Sequence, residues 1–338
     1  MVERRRRIGA YGVCLDHAGR VLLVRASRRS ARPGTWSLPG GGVAHGEDPA
    51  DAVVRELAEE AGLEVEVTGV RDVVAEVVFR PPAWEHTDGV VYDVSRVGGR
   101  LRPEVDGSSD LAAWFPLEEA ARLRLSAVAA RTLASLVAAP DRVSPAAAPA
   151  SAGPPAPDAP AVPAWNATAP DTPGPAAPDA PAAVPAPRPA RGQRFAVYGV
   201  VTDPAGRLLL TRNADGYPGA GRWHLPGGGT AFGEQPPDGL LREIREETDQ
   251  SGHVTRLLAV SSYHNRDATD ADGRLIDWHG VRAVYAVEVP APTAPRVVGV
   301  GGSTSAAGWF TPDQVAALPL TRIAAAMLGP NGSVAATR

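Results

Sequence analysis

Apolar and polar positions are arranged in the same order in two separate stretches of this chain. Ile8–Leu15 and Arg20–Val24 are aliphatic runs bounded by turn residues. Phe195–Thr202 and Arg207–Thr211 repeat them, each pair joined through Ala-Gly-Arg. Further runs of this kind lie at Val65–Phe79 with Val90–Val97, and at Thr255–Ser262 with Val281–Val289. All of these predict strands. Within each half one segment instead follows a helical period, where Ala52, Val53 and Leu57 form an apolar stripe on an otherwise acidic stretch. Asp48 before Pro49 predicts the N-cap and first residue of that helix, and Gly62 its stop. Each half closes with a Trp-Phe pair, Trp114–Phe115 and Trp309–Phe310, and an alanine-rich helical stretch. Strands mixed with two helices predict, in each half, an α/β/α sandwich around a mixed β-sheet.

The halves are separated by a change of composition. From about Ser144 to Arg191 the chain is a Pro/Ala tract with a single aromatic, Trp165. Such a segment has too little apolar surface to build a core and is expected to be a disordered spacer of extended polyproline character. The expected organisation is a first domain at 1–142, a linker at 143–192 and a second domain at 193–330.

The acidic helix carries the candidate chemistry. Glu56, Glu59 and Glu60 stand at i, i+3 and i+4, as do Glu243, Glu246 and Glu247. Like charges at these spacings destabilise a helix by about 0.2–0.5 kcal/mol per pair. Clustered carboxylate oxygens of this kind suit Mg²⁺, or Mn²⁺, shared with waters and substrate phosphates. The preceding turns, Leu38-Pro-Gly-Gly-Gly42 and Leu225-Pro-Gly-Gly-Gly229, let the backbone approach closely, so Gly41 and Gly228 are candidates to add a carbonyl ligand. A solvated acidic face would explain one such run. It does not explain glycine, glutamate, arginine and three more glutamates at fixed offsets in two places.

These residues resemble the Nudix hydrolase family, whose signature is Gly-x5-Glu-x7-Arg-Glu-U-x-Glu-Glu-x-Gly-U, with U aliphatic. Gly41, Glu47, Arg55, Glu56, Leu57, Glu59, Glu60, Gly62 and Leu63 satisfy every position. Gly228, Glu234, Arg242, Glu243, Ile244, Glu246 and Glu247 do the same, after which Asp249 and Gln250 depart from it. The resemblance implies the α/β/α sandwich fold in each half and metal-dependent hydrolysis of a nucleoside diphosphate linked to another group. It implies Glu56, Glu59, Glu60, Glu243, Glu246 and Glu247 as metal ligands, with Glu56, Glu59, Glu243 and Glu246 taking part in catalysis. Arg55 and Arg242 are expected to orient, since Arg55 cannot share a helix face with Glu56. A loop carboxylate often completes such sites. Aligning the Trp-Phe pairs sets Glu104, Asp106 and Asp110 against Gly299, Gly301 and Ser305. The first domain is thus expected to be the more active, with Glu104 a candidate base. The second would be slower, or use Asp270, Asp272 or Asp277.

Composition narrows the function further. The 338-residue chain has a net charge of −4, which gives no nucleic-acid footprint, and it contains no lysine, so cationic phosphate contacts fall to arginine or metal. Arg25 and Arg212, ending the second strand of each half, are candidate substrate contacts. Arg4–Arg7 are expected to be a solvated lead-in to the first strand, without the apolar core of a signal peptide. No apolar run reaches membrane-spanning length, so a cytoplasmic protein is expected, with self-association left open. Cys14 reads as a buried structural thiol, and His86 and His279, before equivalent strands, as structural or exposed rather than catalytic. Three functions fit: cleavage of nucleotide sugars or ADP-ribose-type compounds, sanitising hydrolysis of modified nucleoside triphosphates, or a second domain that binds nucleotide as a regulatory module.

Overall fold

The aliphatic run that opens each half becomes a central strand of its sheet. In the computed structural model, which describes residues 2–104, 107–138, 189–269, 273–299 and 302–329, β1 (Glu3–Cys14) runs parallel to β6 (Ala83–Gly99). On its other edge β1 pairs antiparallel with β4 (Gly40–Gly42). β6 in turn pairs antiparallel with β5 (Leu63–Arg80) in a long hairpin. A parallel pair needs a long crossover, and the segment between β1 and β6 includes β2 (Val21–Ala26), β3 (Trp36–Ser37) and the helix α1 (Pro49–Ala61). A second sheet joins β3, β2 and β7 (Ser109–Phe115). α2 (Leu117–Ala120) and α3 (Ala127–Ala138) close the first half.

The second half repeats this order. β8 (Ala190–Thr202) lies parallel to β13 (Leu275–Glu288), which pairs with β12 (His253–Thr269). β9 (Leu208–Asn213), β10 (Trp223–His224), β11 (Gly227–Gly229) and β14 (Thr304–Phe310) complete one sheet of seven strands. α4 (Pro236–Thr248), α5 (Pro312–Ala316) and α6 (Arg322–Leu328) supply its helices. Short α2 and α5, starting beside Pro116 and Pro312, are helices that the strand-and-helix pattern did not announce. The Pro/Ala tract with Trp165 lies outside the described residues, as do Asp106, Asp270, Asp272 and Gly301.

Burial explains the layers. Ala52, Val53 and Leu57 of α1 are fully buried against β1, β5 and β6, while Leu133 and Leu136 of α3 fill the opposite face with Leu23 and Val91. Cys14 is buried, and its thiol is pushed up to about 11 by desolvation, which leaves it unreactive. Asp48 caps α1 by accepting from the Ala50 N–H, and Gly62 ends it in the left-handed region at φ 68°. Asp249 takes the same conformation at φ 56° after α4, which a short polar side chain tolerates. Its carboxylate meets Arg296, and Gln250 is buried on Thr293, so the departures from the signature have local partners.

The two halves pack on one another, and residues of both belong to one continuous apolar cluster. The Gln235 amide bonds both the N–H and the carbonyl of Ala75, at 3.1 and 2.8 Å. The Ser262 hydroxyl donates to Asp48 at 2.5 Å, and the Gly233 N–H to His86 at 2.7 Å. The first arginines are solvated as expected at Arg4–Arg6, but they belong to the strand and do not merely lead into it. Arg4–Arg7 lie within β1, and Arg6 bonds Asp88 and reaches Thr230 of the other half. The ladder with β6 extends beyond the apolar run to Glu3, with Glu3–Arg6 still exposed. Among the described residues, no helix is long and apolar enough to cross a membrane.

Leu57→Ala should cost about 2–5 kcal/mol in denaturant unfolding, since a fully buried leucine would leave a cavity. A change below about 1 kcal/mol would mean that α1 is not seated as described.

Candidate active site

The glycine turn and the acidic helix face each other in both halves. Gly40 has φ 145°, and a Cβ there would lie 2.2 Å from the Ala10 carbonyl. At Gly41 a Cβ would fall 2.5 Å from the Glu56 carboxylate. Only glycine lets this strand approach the helix, which is why the turn and the glutamates occur together.

Glu60 is the most enclosed of the acids. Its Oε2 accepts from the Gly40 N–H at 2.9 Å and its Oε1 from the Ser108 hydroxyl at 3.0 Å. Burial pushes its carboxyl up to about 7, against the lowering effect of these two donors. Glu247 repeats the arrangement, accepting from the Gly227 N–H at 2.9 Å and the Thr304 hydroxyl at 2.5 Å, and burial again raises it to about 7. Glu56 is also raised by burial, while Glu59 is 53% exposed.

Arg55 gathers the remaining carboxylates. Nε and Nη2 grip Glu47 as a fork at 2.8 and 3.0 Å, and the second also donates to the Gly42 carbonyl at 3.0 Å. Nη1 reaches Glu56 at 2.8 Å and Glu59 at 3.1 Å. The orienting role expected of Arg55 agrees with its grip on Glu47 of the preceding loop, and although the two residues leave the helix on different faces its long side chain also reaches Glu56. Held this way, Glu47 lies below the usual carboxylate range because of the guanidinium. Arg242 does the same with Glu234, Glu243, Glu246 and the Gly229 carbonyl. Each guanidinium offsets part of the repulsion that the sequence builds into its helix.

The loop acids diverge as the alignment suggests. Glu104 accepts from the Ser109 N–H at 3.0 Å and lies 3.5 Å from the Ser108 hydroxyl, so Ser108 connects it to Glu60. In the second half Gly299 bonds the Glu246 carbonyl instead, and Thr304 serves Glu247 without a neighbouring loop acid among the described residues. Asp110 is paired with Arg25 at 2.8 Å, and Arg25 lies over the Trp36 ring. Arg212 donates to the Gly221 carbonyl at 3.3 Å. Both arginines are thus engaged away from the glutamates. Asp277 sits between His45 and His264, and so is engaged there too.

The sequence reading did not bring one group of residues together. A cavity of about 290 Å³ between the halves is lined by Arg6, Arg7, Arg194, Asp88 and Glu243. Arg194 crowds Gly229, the carbonyl partner of Arg242. The available signal was that Arg7 and Arg194 occupy equivalent places at the start of β1 and β8.

A family model described as the NUDIX domain matches residues 4–136 and 192–328. The 8-oxo-dGDP phosphatase NUDT18 of Homo sapiens is 36% identical over 106 residues, 31% of this chain and 30% of that protein. Nudix hydrolase 25 of Arabidopsis thaliana is 42% identical over 73 residues, 22% of this chain and 35% of that protein. The match spans about a third of the length of each of these two relatives. The crystal structure of the MutT protein from Methanosarcina mazei Go1 shares 23% identity over 41% of this chain and 97% of that one, with a TM-score of 0.35.

The raised carboxyls set a pH dependence. Glu60 and Glu247 are each displaced from 4.5 to about 7, so the folded state binds more protons than the unfolded one between these values. Their contribution to stability is therefore complete below about pH 4.5 and is lost as pH rises through about 7. Histidines such as His224, lowered to about 4 by burial, act in the opposite sense, so the comparison is with a variant. In chelator, the Tm of wild type relative to a Glu60→Gln/Glu247→Gln double variant should fall by several degrees from pH 5 to 8. A constant difference would show that these carboxyls are not buried as described.

Proposed function

The chain belongs to the NUDIX family, and on that footing we propose that it is a hydrolase of the diphosphate linkage in nucleoside diphosphate derivatives, dependent on Mg²⁺ or Mn²⁺, with the first domain the faster. The observation that carries the asymmetry is the chain Glu60–Ser108–Glu104, set against Gly299 and Thr304 in the second half.

The donor set fits a hard divalent cation. Every donor is oxygen, and Glu60 is buried with only an amide and a hydroxyl as partners while Arg55 holds Glu47, Glu56 and Glu59. Glu56, Glu59 and Glu60 with the Gly41 carbonyl would hold the ion in the first domain, and Glu243, Glu246, Glu247 and Gly228 in the second. Such an ion neutralises charge on phosphoryl oxygens and lowers the pKa of a bound water. The protein's own residues do the rest. Arg55 keeps three carboxylates in place, and Glu104, fixed by Ser109, accepts the proton of the attacking water. Arg6, Arg7 and Arg194 give the cavity the positive charge that a diphosphate needs, since a planar guanidinium matches phosphate oxygens in pairs. Arg25 and Arg212 do not line this cavity.

A second substrate reading is favoured by the similarity to the human 8-oxo-dGDP phosphatase: sanitising hydrolysis of oxidised nucleotides. Products separate the two, since a nucleotide sugar or ADP-ribose yields a nucleoside monophosphate and a phosphorylated remainder. The nucleotide-binding role for the second domain is the limit of the proposed asymmetry.

Full-length protein with Mg²⁺, screened against ADP-ribose, nucleotide sugars and oxidised guanine nucleotides, tests the reaction. Glu60→Gln should lower kcat by roughly 100-fold or more, and Glu104→Gln by about 10²–10⁴-fold, the usual contribution of a general base. Glu247→Gln should cost far less. Equal losses from Glu60→Gln and Glu247→Gln would sink the asymmetry, and no turnover of any of these substrates would sink the reaction class.

A further inference from the structure

The packing of the two halves brings the same structural positions together at two corners, and their chemistry is opposite. At one corner His45, from the loop before α1, meets His264 of β12 and Asp277 of β13. Strand register identifies the counterparts. His264 faces His279 as Val77 faces His86, and Asp277 faces Arg191 as Trp84 faces Arg4. Phe232 stands where His45 does in the signature loop. Phe232 packs on His86, and Gly233 abuts Val77 as Gly46 abuts His264. Thus Phe232, Val77 and Trp84 line one corner, while two imidazoles and a carboxylate line the other.

The polar corner is incompletely satisfied by protein. One ligand atom from each of its three residues lies within 4.8 Å of the others. Asp277 Oδ1 is 2.5 Å from His264 Nε2 and 3.2 Å from His45 Nε2. Yet His45 Nε2 is buried without the alignment that a hydrogen bond requires. The neighbouring His279 ring, 5.7 Å from His45, is fully buried; its Nδ1 meets the Gln193 amide and its Nε2 has no partner. At the apolar corner the corresponding nitrogen of His86 is bonded to Asp88, whose counterpart is Val281. A buried nitrogen left unpaired is costly, so the His45 nitrogen calls for a further partner.

We infer that His45, His264 and Asp277 form a second metal site, of the zinc(II) class, that clips the first domain to the second. Two imidazoles with one carboxylate favour Zn²⁺, Co²⁺ or Ni²⁺ over Mg²⁺, which prefers oxygen throughout. Tetrahedral bonds of about 2.0 Å separate ligand atoms by roughly 3.3 Å, close to the 3.2 Å between His45 and Asp277, while the 2.5 Å between His264 and Asp277 would open as the ion replaces their direct contact. Side chains that are 14, 23 and 17% exposed, for His45, His264 and Asp277, leave the ion a way in. Arg191 approaches the other carboxylate oxygen at 3.9 Å, which leaves Oδ1 to the imidazoles. Because His45 lies between Gly41 and Glu47, the ion would also steady the loop that frames the first site. This site is distinct from the glutamates and holds whatever their substrate is.

The counterpart residues supply the test. Full-length protein, stripped with chelator and returned to excess Mg²⁺, is titrated with Zn²⁺ under equilibrium dialysis, with Co²⁺ absorption as a spectroscopic check. Wild type should retain one Zn²⁺ per chain, show the intense visible bands of low-coordinate Co²⁺, and rise in Tm on Zn²⁺ addition. His45→Phe and His264→Val, which place residues already accommodated at the other corner, should weaken binding at least tenfold and remove the Tm rise. Asp277→Asn, nearly isosteric, should do the same if either of those fails to fold. Unchanged Zn²⁺ binding in the folded variants, or no Zn²⁺ retained by wild type against Mg²⁺, would overturn the assignment.

Discussion

A carboxylate pressed beneath a backbone amide organises each half of this protein. Glu60 under Gly40 and Glu247 under Gly227 are enclosed enough that burial drives their carboxyls toward the protonated form. An acid in that state is costly unless something positive or protic meets it. The glycines bring the amide within reach, the hydroxyls of Ser108 and Thr304 cover the other oxygen, and the guanidiniums of Arg55 and Arg242 draw the neighbouring acids together. The glycine turn, the helix and the arginine are therefore parts of one electrostatic solution.

The duplication preserved that solution and varied what surrounds it. Glu104 stands beside Ser108 in the first half, and Gly299 caps a helix carbonyl in the second. Where the halves meet, Phe232 and Val77 face a histidine and backbone, while His45 and His264 face a carboxylate. Both differences concern positions outside the shared machinery, where a change of residue alters neighbours without disturbing the buried acid.

Much of the local structure could be read in the chain. Asp48, Pro49 and Gly62 bound α1 as capping chemistry requires, and Ala52, Val53 and Leu57 are buried as their spacing implies. The strands of both halves follow their aliphatic runs but extend past them. Arg4–Arg7 continue β1 because the polar ladder of β6 receives them, and Arg6 reaches Thr230 of the second domain. No periodicity reports that kind of support. The contact between Arg55 and Glu56 was also hidden, since spacing describes where side chains emerge and not where long ones end.

The chain alone thus determined the longer strands, the acidic helices and the doubling of the whole, because these depend on residues near one another in sequence, whereas the glycine segments read as turns became the short strands β4 and β11. Only the tertiary structure decided which arginines line a cavity, that Asp110 neutralises Arg25 and that Asp277 joins two histidines. Those pairings arise from the register of β2 with β7, β5 with β6 and β12 with β13 and from the docking of one half on the other. They join residues distant in sequence, in the case of His45 and His264 more than 200 positions apart, where local pattern carries no information about distance.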